Sequence, residues 1–194
     1  NPAFAERQTE HGVSLLLLAA YYRNHKAVET LRNLRSSISF YEAAAIGDLK
    51  AIKVALKVQP DLLNLPAKDG FSGLGLACFF GHYEVTAFLV EQGATVNQAS
   101  ANDFKVYPLH SAAAISNYKI CELLLTNGAD VHVQQASGVT PLHSAAHHGQ
   151  YDLAKLLLDH GADAKAKSGE GKTPIDMAKE GTFTNIVELL ETNN

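Results

Sequence analysis

Nine histidines are the first residues of this 194-residue sequence that could do chemistry. His143 and His147 stand four apart, a spacing that puts two imidazoles on one helix face and suits a pair of zinc ligands, with His148 beside them and His110 upstream. No HExxH motif, no paired inward carboxylates and no nucleophile at a recognisable spacing from a base accompany them. Gly169-Glu170-Gly171-Lys172-Thr173 ends like a phosphate loop, but the full pattern GxxxxGK[ST] needs Gly where Ala166 stands, and no strand pattern precedes it. Lys165, Lys167 and Lys172 form a small basic group interleaved with Asp163 and Glu170, which reads as a solvated face, with an acidic partner segment as the sharper alternative.

The bulk numbers narrow the classes. Sixteen Lys and Arg against 20 Asp and Glu give a net charge of −4, without the basic excess needed to neutralise a row of phosphates, so nucleic acid is not expected as a partner. The longest aliphatic run, Leu15 to Ala20, is six residues, where a bilayer span needs roughly 20, so no membrane segment is expected. Cys78 and Cys121 show neither CxxC nor zinc spacing and lie in segments that read as buried helix; two reduced thiols in the cytoplasm is the simplest account.

Whatever these side chains do, a repeating element must position them. The string Gly138-Val139-Thr140-Pro141-Leu142-His143-Ser144-Ala145-Ala146 returns as Gly171-Lys172-Thr173-Pro174-Ile175-Asp176-Met177-Ala178, with Pro141 and Pro174 offset by 33. Pro108-Leu109-His110-Ser111-Ala112-Ala113 lies 33 residues before Pro141, and Gly73-Leu74-Gly75-Leu76-Ala77-Cys78 lies 35 before Pro108. Weaker copies begin at Ser39 and Leu15. Each unit carries a second apolar run, such as Leu153-Ala154-Lys155-Leu156-Leu157-Leu158, and several then close on Gly-Ala-Asp or Gly-Ala-Thr.

One unit reads as helix, turn, helix, extended loop. Thr140 can cap the free amides of a first helix, and Pro141 fits its first position because it has no amide to lose. Gly149 ends that helix in a left-handed conformation, and a second helix runs from about Tyr151 to His160, stopped by Gly161. An Ala-rich first helix and a Leu-rich second one leave a face that one unit cannot bury alone, so the units must stack.

The recurrence in register of Thr-Pro-Leu-His-x-Ala-Ala, the helix-ending Gly and Gly-Ala-Asp closely resembles the ankyrin-repeat family over residues 10–194. The resemblance implies an all-α solenoid forming one domain, residues 1–194, of six units at approximately 10–36, 37–69, 70–104, 105–137, 138–170 and 171–194. It also implies that His110 and His143 are structural, tying adjacent loops by hydrogen bonds.

Two departures from the period carry predictions. Arg23 and Gly47, which hold the helix-ending position in the first two units, are only 24 apart, so nine residues are missing from the loop and a direct join is expected near Arg35-Ser36-Ser37. The 35-residue spacing before Pro108 puts two extra residues around Ala101 to Phe104, where the loop should protrude. Arg23 and Ser116 also replace the usual Gly, which costs roughly 1 kcal/mol each if the left-handed backbone is kept.

Family members commonly dock partners on a concave surface made by the loop tips and the exposed end of each first helix. The resemblance places there the pairs Tyr21-Tyr22, Ala45-Ile46, Phe79-Phe80, Ala114-Ile115, His147-His148 and Lys179-Glu180. Four of the six pairs are wholly apolar or aromatic, and Phe79 and Phe80 with Ile46 and Ile115 could approach the roughly 300 to 600 Å² of a functional patch. The competing account is that the second residue of each pair packs against the next repeat. The function expected is a protein-interaction scaffold or regulator, not an enzyme: a monomer binding a protein or peptide, with no cofactor. Two alternatives stand beside it, a metal-binding or hydrolytic role of the His-rich helix, and the interaction segment of a longer multidomain protein.

Overall fold

The computed structural model describes residues 2–193. The described residues form helices α1 (Pro2–Ala5), α2 (Leu15–Tyr21), α3 (His25–Leu34), α4 (Phe40–Ile46), α5 (Leu49–Val58), α6 (Gly73–Phe80), α7 (Tyr83–Glu91), α8 (Pro108–Ala114), α9 (Tyr118–Thr126), α10 (Pro141–His147), α11 (Tyr151–Asp159), α12 (Pro174–Glu180) and α13 (Thr184–Thr192), with one 3-10 turn at Pro60–Leu63. The only strand-like pairings among them are two isolated bridges, Gln8 with Ser14 and Pro66 with Ser72. The all-α, helix-turn-helix reading therefore holds.

Contacts divide the chain into two units, Asn1–Thr95 and Val96–Asn194. In the first, α4 packs between α2 and α6, and α5 meets α7; in the second, α10 packs between α8 and α12, and α11 between α9 and α13. Buried alanines on the first helices, Ala43, Ala44 and Ala45 in one unit and Ala112, Ala113, Ala145 and Ala146 in the other, let the neighbours approach closely. The second helices contribute the large side chains, with Ile52 and Leu89 in the first unit and Leu124, Leu153 and Leu157 in the second all fully buried. Each such residue contributes roughly 1.5–3 kcal/mol of transfer free energy.

Local chemistry starts each helix. Ser14, Ser39, Ser72, Thr140 and Thr173 cap α2, α4, α6, α10 and α12, each side-chain oxygen accepting an amide from the first turn. Gly73 holds the place that Pro occupies elsewhere because Phe40 leans on it: a Cβ there would lie 2.4 Å from the Phe40 ring.

The helix-ending positions show what the repeat demands. Gly47, Gly81 and Gly149 take φ of 78°, 79° and 69°, and Arg23 and Ser116 keep the same left-handed backbone at 51° and 57° instead of adjusting away from it. The fold thus holds both residues in a disfavoured conformation. Ser116→Gly should raise stability by about 0.5–1 kcal/mol, the left-handed strain relieved less the extra freedom of glycine in the unfolded chain. A higher urea midpoint at unchanged slope would show it, and a lower midpoint would refute it.

In the last repeat the expectation needs a correction. The left-handed residue is Thr182, at φ 59°, whereas Gly181 has φ −80°. Gly181 is small for another reason, since a Cβ there would lie 2.2 Å from the Phe183 ring. The pair equivalent to His147-His148 is therefore Glu180-Gly181, and Lys179 stands one residue out of register.

Candidate functional site

The first unit gathers three of the predicted residues. The Tyr21 ring lies 5.9 Å from Phe79 and 5.4 Å from Phe80, and these two meet edge-on at 5.1 Å. A ring from the first repeat thereby reaches the third, past the small side chains of α4. All three rings are half-buried, so part of the predicted stripe is packing. Tyr22 beside them is 78% exposed, and Ile46 is half-buried.

Asp69, in the loop before α6, anchors this cluster and was not foreseen. The Tyr21 hydroxyl donates to its carboxylate at 2.8 Å, and burial followed by that negative charge pushes the Tyr21 phenol far above its ordinary range. Tyr41 bonds the same loop, its hydroxyl donating to the Leu65 and Pro66 carbonyls at 3.2 and 3.3 Å. Nothing in the spacing marks Asp69, because its partner stands 48 residues away.

In the second unit the predicted residues are individually placed. Ala114 is exposed and Ile115 half-buried at the end of α8. His147 and His148 are exposed, with rings edge-on at 5.1 Å, and the His148 Nδ1–H donates to the Ser144 carbonyl at 2.8 Å. Lys179 is exposed, 3.8 Å from the Glu191 carboxylate.

His110 and His143 tie loops as the repeat implied. His110 Nε2–H donates to the Val139 carbonyl at 2.9 Å, and His143 Nε2–H to the Lys172 carbonyl at 3.0 Å, each spanning 29 residues. A carbonyl can only accept, so the ring proton sits on Nε2 and leaves Nδ1 bare. In His143 that nitrogen accepts from the Thr140 hydroxyl at 2.8 Å and faces the Thr140 amide at 3.2 Å. Both nitrogens of His143 are engaged, so the His143 and His147 pair offers a metal no ready chelate. Among the described residues no group of three or more His, Cys, Asp or Glu is placed to hold a metal ion. The superficial phosphate loop is likewise used structurally: Lys172 supplies that carbonyl and Thr173 caps α12.

The join between the first two repeats is a second feature. Arg35 follows α3 directly, and its guanidinium pairs with Glu42, which is 2% exposed, and with Glu6 at 3.0 Å. Burial would raise the Glu42 pKa, but hydrogen bonds from Ser14, the Ser39 amide and hydroxyl and Arg35 outweigh it and hold the carboxyl below its ordinary value. The extra residues before Pro108 behave as expected, with Phe104 67% exposed and Lys105 forced to φ 51°.

A family model described as ankyrin repeats (3 copies) matches this chain over residues 40–135 and again over 109–194. This chain is an ankyrin-repeat protein. It is similar to a probable 26S proteasome regulatory subunit, p28, of Saccharomyces cerevisiae, 35% identical over 104 residues that make up 52% of this chain and 44% of that one. It is also similar to the mouse RelA-associated inhibitor, 30% identical over 98 residues, 50% of this chain and 12% of that one. The human DNA-binding protein RFXANK matches at 37% over 67 residues, 34% of this chain and 26% of that one. The ankyrin-repeat chain thus spans less than half the length of each of these relatives. Ankyrin-repeat proteins are in general binding and regulatory modules, and protein-protein interaction is the role this fold supports.

Proposed function

We propose that the ankyrin-repeat chain binds a partner protein or peptide stoichiometrically, as a scaffold or regulator and not as an enzyme, through the open face at Tyr21, Tyr22, Phe79 and Phe80. The observation that carries this reading is the aromatic cluster. Three rings fixed by Asp69 and by one another remain half-open where the family docks partners, and Tyr22 stands free beside them. Rigid aromatics give large contact area at little entropic cost, which is why they dominate binding hot spots. The names of the yeast and mouse relatives, a regulatory subunit and an inhibitor, agree with action by occupancy. Two buried free cysteines, with burial pushing Cys121 up to about 12, support a reducing compartment such as the cytoplasm.

The test is differential capture from source-cell lysate. A Tyr22→Asp/Phe79→Ser variant, matched to wild type in helicity, should lose a partner that wild type retains, with affinity falling by roughly 30-fold or more. Capture of the same proteins by both forms would remove the face from consideration.

A further inference from the structure

In the second unit the later two hairpin loops each lean on the one before. The Ala136 amide donates to the Phe104 carbonyl at 3.0 Å, and the Gly169 amide to the Ser137 carbonyl at 2.7 Å. In the first unit the same turn closes at Thr9 with Val13 and at Ala67 with Phe71, 58 residues on, and the repeat between them has no hairpin. Register identifies the backbone groups that lose a neighbour. Ala67 corresponds to Gln135 and Ser168, so the Lys68 amide is the counterpart of the Ala136 and Gly169 amides. By the same register the His11 carbonyl is the counterpart of Ser137's. Neither has a backbone partner among the described residues.

The missing loop leaves a cleft of about 280 Å³ between the two hairpins, floored by Arg35 and Glu42. Glu42 is already engaged by Ser39 and Arg35. What remains unengaged is mainly donor. Lys68 reaches across to Gly12, where an added Cβ would lie 3.0 Å from its Nζ, yet no hydrogen bond or ion pair to that nitrogen is formed among the described residues. Arg35 Nε is buried without a partner.

We propose that this cleft takes an extended acidic segment of a partner protein, which replaces in trans the hairpin that the second repeat lacks. Its backbone accepts from the Lys68 amide and donates to the His11 carbonyl, as strands add to an open sheet edge, while a carboxylate meets Lys68 Nζ. Free edge groups alone would accept any extended chain; the Lys68 ammonium, paired with no carboxylate among the described residues, selects an acidic one. The cleft shares Asp69 with the aromatic cluster, which holds that carboxylate through the Tyr21 hydroxyl, but none of the cluster's rings lines it, so different variants test the two sites.

The probe is the peptide Ac-Val-Asp-Val-Asp-Val-NH2, with its Asn counterpart, titrated into ¹⁵N-labelled protein. The acidic peptide should give saturable shifts at the Gly12, Ala67 and Lys68 amides, with binding at least about tenfold weaker for the Asn peptide and for Lys68→Glu, and unchanged for Tyr22→Asp. Inserting a nine-residue loop copied from residues 64–72 after Arg35 should fill the cleft and abolish those shifts without loss of helicity. Lys68 lies on an exposed loop, so its variant tests the idea even where the insertion fails to fold. Absence of saturable shifts, equal binding of both peptides, or shifts reproduced by inorganic phosphate alone would overturn the proposal.

Discussion

Lowering the pH from 6.5 to about 4 is expected to destabilise the second unit by about 3 kcal/mol, with His110 the largest contributor. The imidazole is fully buried, and burial pulls its pKa from 6.5 to about 4 against the opposing hydrogen bonds to backbone carbonyls. Its Nδ1 has no hydrogen-bond partner among the described residues, because Tyr107 holds the cap position that Thr140 and Thr173 occupy in the next two repeats. Above pH 6.5 the ring is neutral in both folded and unfolded chains, and stability does not depend on it. Between 6.5 and about 4 the unfolded chain takes a proton that the folded one refuses, so stability falls as pH falls and then levels off below the folded pKa. His143 adds to the same slope, its pKa lowered by burial, since a proton on Nδ1 would face the Thr140 amide. Glu42, in the other unit, is held below 4.5 when folded, so its contribution is present above that pH and is lost as the pH falls further. Urea midpoints measured from pH 7.5 to 4 on wild type and His110→Gln should diverge across this window. Parallel curves would exonerate the buried imidazole.

Gly138→Ala should cost about 3 kcal/mol, well beyond the roughly 1 kcal/mol of an ordinary left-handed glycine. Gly138 has φ 73°, and a Cβ there would lie 2.6 Å from the Gly169 nitrogen and 3.0 Å from the Ser168 carbonyl carbon. Those are backbone atoms of the next hairpin, which cannot rotate aside as a side chain would. To relieve the clash the hairpins must part, stretching the Gly169 to Ser137 bond and drawing on the Lys172 carbonyl that His143 holds. Gly161→Ala is the control: φ is 89°, but nothing lies within 4 Å, so only the conformational cost applies. Equal destabilisation of the two variants, or undiminished hydrogen-exchange protection of the Gly169 amide in Gly138→Ala, would show that the hairpins are not in rigid contact.

The helices and their order were legible because each unit signals its own limits within about ten residues. Thr140 and Pro141 start α10, Gly149 ends it, and Gly161 follows α11, all by local hydrogen bonding and backbone sterics. The loop-tying role of His110 and His143 was legible only through the family resemblance, because their carbonyl partners lie a repeat away. The last helix end was misplaced by one residue because Gly181 suggests a left-handed cap, whereas contact with the Phe183 ring explains that glycine and Thr182 takes the strain.

The candidate sites divide along the same line. The spacing of Arg23 and Gly47 revealed that a loop was missing, but not that Arg35 and Glu42 would floor the gap. It placed Tyr21, Phe79 and Phe80 on corresponding helix ends, but could not say how far they cover one another, since ring contact depends on how closely α2, α4 and α6 approach. The sequence by itself determined the unit, its period and its defects, because these rest on interactions between residues near in the chain. Only the tertiary structure decided which side chains stay open and which backbone groups lack a neighbour, because stacking brings together residues such as Tyr21 and Asp69 that the chain holds far apart.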